Sequence, residues 1–148
     1  MMINLDWKDV YNIGVDFIDQ EHKTILSIMR NIRDSIINGN LDECTTLSDS
    51  LIEEAGNHFR HEEKYLEHVK FPGLKEHKKY HGELLAQAKQ VKEICESADK
   101  DHNLAECFDA MQRFLIDDIL NGDLQFVSFL EYEGHIERSV IYKSNKSN

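Results

Sequence analysis

The stretch His58-Phe59-Arg60-His61-Glu62-Glu63 sets the reading of the whole chain. It puts an imidazole and a carboxylate four residues apart, just over one helical turn, so His58 and Glu62 stand one above the other on one helix face. Counting in fours and threes from Leu51 gives Ala55, His58, Glu62, Tyr65 and Val69. The pair therefore lies within the apolar stripe that faces a core, not on a solvated side. A histidine and a glutamate side by side in a core need a partner for their charge, and a metal ion serves both.

The same rhythm recurs along the chain. Ile18, His22, Ile25, Met29, Ile32 and Ile36 form a stripe in which His22 is the only polar member, which predicts a helix over about 18–37 stopped by Gly39. The helix that holds His58 is predicted over about 41–68, with Asn40 as cap, Glu43 in the capping-box position and Gly56 permitting close approach to another helix. Lys70-Phe71-Pro72-Gly73 makes a tight turn. A third helix, about 74–97, carries His77, His81, Leu84, Ala88, Val91 and Cys95 on its stripe. A fourth, about 104–128, carries Leu104, Phe108, Met111, Leu115 and Asp118, with Ile119, Asp123 and Phe126 on the adjoining row. Residues 1–17, with Trp7, Tyr11 and Phe17, read as an arm laid across the helices, and about 130–148 as a polar tail.

Four amphipathic helices with short connectors predict an all-α, antiparallel up-and-down four-helix bundle forming one domain over 1–148. In that arrangement His22 lies near the start of its helix and His58 and Glu62 near the end of theirs. His77 and His81 begin the third helix, and Asp118 and Asp123 end the fourth. Alternating directions bring all seven to one end of the bundle.

Composition narrows the partners. Twenty-eight acids against seventeen bases give a net charge of −11, which argues against nucleic acid or an anionic membrane. One proline and seven glycines favour long helices. Cys44, Cys95 and Cys107 are odd in number and widely spaced, and read as free thiols in a reducing, cytoplasmic compartment. No apolar run approaches the ~18 residues of a membrane span, and the N-terminus lacks a basic-then-apolar leader.

Four imidazoles and three carboxylates exceed what one ion can use, whereas two ions sharing bridging carboxylates can use them all. Nitrogen and oxygen donors without thiolate favour iron, then manganese. A dinuclear plan built on Glu-x-x-His pairs does not fit, because no histidine has glutamate three residues before it.

The motifs Ile18-Asp19-Gln20-Glu21-His22-Lys23, His58-Phe59-x-x-Glu62-Glu63 and His77-Lys78-Lys79-Tyr80-His81, in that order, resemble the hemerythrins, particularly the bacterial single-domain kind. Trp7 and the Phe71-Pro72-Gly73 turn fit the resemblance, which covers about residues 5–130. It implies a non-heme site of two oxo- or hydroxo-bridged iron ions that binds O2 at one iron, for storage, delivery or sensing. It also implies that His22 and His58 serve one iron, His77 and His81 the other, and that Glu62 and Asp123 bridge them. Ile25, Leu115 and Ile119 match positions that wall the O2 pocket with apolar groups. The family expects a histidine where this chain has Asp118, five residues before Asp123, a step of about 140° on an ideal helix. An anionic ligand there favours ferric iron and faster autoxidation. His61, beside the ligands, is expected to support them from outside. Alternatives are a di-iron redox enzyme acting on peroxide or NO, and a bundle that holds metal for structure alone. A sensing role requires a separate redox or signalling partner.

Overall fold

The computed structural model describes residues 5–97, 104–115 and 122–137. A 3-10 turn at Asp9–Tyr11 precedes α1 (Asp16–Ile37), α2 (Leu41–His68), α3 (Leu74–Ser97), α4 (Leu104–Leu115) and α5 (Leu124–Tyr132). No strand occurs among the described residues. Helix α2 packs on α1 and α3, and α4 packs on α3 and α1, which closes the ring of an all-α four-helix bundle. The connections at 38–40 and 69–73 are too short for anything but antiparallel neighbours.

The stripes read from the sequence face inward. Ile18, His22, Ile25, Met29, Ile32 and Ile36 on α1 are buried, as are Leu51, Ala55, His58 and Glu62 on α2. So are His77, His81, Leu84, Ala88 and Val91 on α3. These side chains sort into two apolar clusters. The larger holds Ile25, Met29, Ile32, Leu51, Ala55, Phe59, Leu84, Ala88, Val91 and Phe114. The smaller holds Ile13, Ile18, Leu66, Phe126, Val127, Leu130 and Ile136. The buried histidines His22, His58, His77 and His81, with Glu62 and Asp123, fall between the two, so the bundle axis runs apolar, polar, apolar.

The arm is held by specific bonds. The buried Asp19 carboxylate accepts the Ile13 N–H at 2.7 Å and the Gly14 N–H at 3.1 Å. Arg30 donates to the Leu5 carbonyl at 2.9 Å. Trp7 meets Tyr11 edge-on, and Lys23 stands 5.3 Å over the indole.

Three helices close their C-termini in the same way, with two backbone N–H groups turned back onto the last turn and one residue in the left-handed region. At α1 that residue is Gly39 (φ 70°) and at α5 it is Gly134 (φ 78°). At α2 it is Lys70 (φ 61°), with Lys70 N–H bonded to the Glu67 carbonyl and Phe71 N–H to that of Leu66.

Of the helix predicted as 104–128, the described residues form α4 and α5, with a π-type turn at Gly122 just before α5, and 116–121 lie outside the described residues. Two expectations change. A Cβ on Gly56 would meet only Arg60 of its own helix, at 3.5 Å, so among the described residues Gly56 accommodates no neighbouring helix. Its propensity cost is local. Cys44, fully buried near the start of α2, is disulfide-bonded, so the free-thiol premise fails at that position. Spacing along the chain does not reveal which sulfurs helix packing brings together.

Candidate metal centre

Six of the seven expected donors come together. The donor atoms of His22, His58, Glu62 and Asp123 lie within 4.8 Å of one another, and so do those of Glu62, His77, His81 and Asp123. Asp118 and Ile119 lie outside the described residues, as does the side chain of Leu115. Ile25 is fully buried one turn beyond His22.

The division of oxygens is the informative detail. Glu62 Oε1 stands 2.7 Å from His77 Nε2 and 3.0 Å from His81 Nε2, while Oε2 stands 3.1 Å from His58 Nε2. Asp123 Oδ2 is 2.7 Å from His22 Nε2 and 4.0 Å from His58 Nε2, and Oδ1 is 3.4 Å from His77 Nε2. Each carboxylate thus turns one oxygen to one histidine pair and the other oxygen to the other. Glu62 Oε2 and both Asp123 oxygens are buried yet make no hydrogen bond of proper geometry among the described residues. Atoms so close that still miss each other's hydrogen-bond directions are aimed at a common third point. Separations of 2.7–3.4 Å match the edge between two donors bound at about 2.1 Å and a right angle. An unsatisfied carboxylate at this depth is costly unless a cation completes it.

Electrostatics make the same point. Burial works against the ionised Glu62, but His58, His77 and His81 outweigh it and hold the carboxyl well below the usual carboxylate range. Burial likewise opposes a charged His77, yet Asp123 and Glu62 push it up to about 10. Without a metal the cluster stores a proton where a cation fits.

The outward nitrogens are held as well. His58 Nδ1 donates to Glu21 Oε1 at 3.0 Å and His81 Nδ1 to Glu63 Oε2 at 2.8 Å, which fixes the tautomer that leaves each Nε2 lone pair facing inward. Glu21 takes a second bond from His61 Nδ1 at 2.6 Å. Burial would raise the Glu21 carboxyl, but hydrogen bonds and charge interactions with His58 and His61 leave it lowered. His61 itself is 53% exposed and is linked to His58 through Glu21. Periodicity passed over Glu21 and Glu63 because both sit just off the stripe. Their position directly beside His22 and Glu62 in the two motifs was the available signal. Packing completes the shell, with Phe59 stacked on His81 at 4.2 Å and Phe71 and Phe126 edge-on to His77.

Comparison with known proteins bears on this geometry. The family model described as Hemerythrin HHE cation binding domain matches residues 13–121. A bacteriohemerythrin of Clostridium acetobutylicum is 27% identical over 127 residues, 82% of this chain and 97% of the relative. A bacteriohemerythrin of Pseudomonas aeruginosa is 22% identical over 131 residues, 88% of this chain and 84% of the relative. A myohemerythrin of Riftia pachyptila is 28% identical over 85 residues, 57% of this chain and 66% of the relative.

Proposed function

This chain belongs to the hemerythrin family, and from that premise we propose that it is a non-heme di-iron protein that binds O2 rather than an enzyme. The observation that carries the reading is the split of Glu62 and Asp123 oxygens between two histidine pairs. His22 and His58 would hold one ion and His77 and His81 the other, with Glu62 and Asp123 shared between them. Two iron ions, when bound, supply the redox chemistry and the open position that reversible O2 binding uses.

The protein's part is positional. Glu21 and Glu63 keep the His58 and His81 rings turned to the centre. Ile25, Leu115 and Ile119, which match the family's apolar pocket positions, are assigned the role of excluding water from the bound ligand. We assign Asp118 to the place of the fifth histidine. Its negative charge favours ferric over ferrous iron, so Asp118→His slows autoxidation in stopped-flow mixing of reduced protein with O2. Equal autoxidation rates in the two proteins would remove Asp118 from that role.

Protein made with ample iron is expected to carry two iron ions per chain. A visible absorption band is expected to appear with O2 and disappear when O2 is withdrawn. A sample without iron, or with iron whose spectrum ignores O2, defeats the reading.

A further inference from the structure

The segment that joins α2 to α3 has a charge opposite to that of the chain as a whole. Residues 64–79 hold Lys64, Lys70, Lys75, Lys78 and Lys79 against Glu67 and Glu76, a net +3 in a chain of −11, which leaves −14 for the other 132 residues. All five lysines are exposed, and none is in an ion pair among the described residues. Lys75, Lys78 and Lys79 follow the i, i+3, i+4 spacing that puts them on one face of α3, next to the turn.

A second observation comes from the backbone. The left-handed closing position is glycine at α1 and α5 but lysine at α2. A side chain there costs stability that glycine avoids, and strain of this kind marks positions where the residue serves another purpose. The third is proximity. Phe71, next to Lys70, is half-buried, and its ring meets that of His77 at 6.5 Å and those of Phe126 and Phe129 at 6.0 and 5.4 Å. One side chain separates the basic turn from a ligand histidine.

We propose that the α2–α3 turn is the docking surface for a small acidic electron-transfer protein that returns the iron pair to its O2-binding state. The electron step rests on the di-iron reading, whereas the docking does not. Each encounter oxidises the donor by one electron and reduces one ferric ion to ferrous, so two encounters restore the pair, and no bond in the protein is made or broken. At about 0.15 M salt the Debye length is about 8 Å, so a partner feels the charges nearest to it. The acidic remainder of the surface repels such a partner, and the lysine face next to His77 admits it.

The probe is an acidic [2Fe–2S] ferredoxin, its affinity for the full-length protein measured by titration calorimetry at about 0.1 M salt. Lys70→Glu/Lys75→Glu is expected to weaken binding tenfold or more. Lys8→Glu/Lys89→Glu, the same charge change away from the turn, is expected to alter it less than twofold. Lys70→Gly is expected to raise Tm by roughly 2–4 °C while weakening binding. Reduction of the iron-loaded protein by reduced ferredoxin should slow in parallel, with reduction by dithionite unchanged. Absent binding, equal losses in both double variants, or preferential capture of anionic phospholipid vesicles by the lysine face overturns the proposal. Dithionite finding no reducible iron defeats the di-iron reading instead, and the binding comparison still decides the surface.

Discussion

The two apolar clusters that flank the donor layer are built from different material. The larger one draws mostly on stripes of α1, α2 and α3, with Phe114 from α4 and Leu5 and Tyr11 from the arm. The smaller one is assembled from pieces: Ile13 of the arm, Ile18 and Leu66 at helix ends, three residues of α5, and Ile136 beyond it. Phe71 of the turn and Leu74 at the start of α3 pack against it. Continuous helices supply their own backbone bonding and need only their apolar faces covered. A cap made of short segments lacks that reserve and relies on whatever joins its parts. Between the clusters, the grouped histidines and carboxylates bring α1, α2, α3 and the start of α5 together.

Metal removal is the strongest way to separate the two regions. A ligand present at a thousandfold over its Kd contributes about 4 kcal/mol, roughly 10 °C in Tm for a chain of this size. Hydrogen exchange after chelation should rise first over 13–18, 62–77 and 123–136, with 25–36, 44–59 and 84–91 still protected. Uniform loss of protection would mean that the cap does not depend on the metal.

The pH dependence should differ in sign between the two states. In metal-free protein His77 titrates near 10, above its ordinary 6.5, so its contribution is complete below 6.5 and lost as pH climbs through 10. Glu62 is lowered from 4.5, so its contribution is present above 4.5 and lost as pH falls. Metal-free stability therefore peaks between about 4.5 and 6.5. The loaded protein needs deprotonated imidazoles, so its advantage grows as pH rises from 6.5. Thermal melts of both forms across pH 4–10 check the crossing.

Smaller effects distinguish the cap from the core by single substitutions. A Cβ on Gly73 would come within 2.8 Å of the Phe71 ring, so Gly73→Ala should destabilise by about 1–3 kcal/mol in chemical denaturation. Gly56→Ala, in the α2 segment that borders the larger cluster, meets nothing closer than 3.5 Å among the described residues and should stabilise by about 1 kcal/mol.

The larger cluster and the six donors were legible because they obey one periodicity, and a polar residue on an apolar stripe announces itself. Alternating helix direction did the rest. The cap was not legible for a matching reason. Nothing in the order of residues says that Ile136 will lie 3.3 Å from where a Gly14 side chain would begin, or that Asp19 will bond backwards to Ile13. Glu21 and His58 are 37 residues apart, and only helix pairing brings them into contact. Gly56 was misread because a glycine's backbone cost is visible locally while its surroundings are not.

The Asp19 carboxylate fastens the arm to α1 three residues before His22. A tug on residues 5–12 is thereby delivered to the turn that carries His22. Whatever is joined ahead of this arm, by fusion or by an attached surface, has a mechanical handle on the centre.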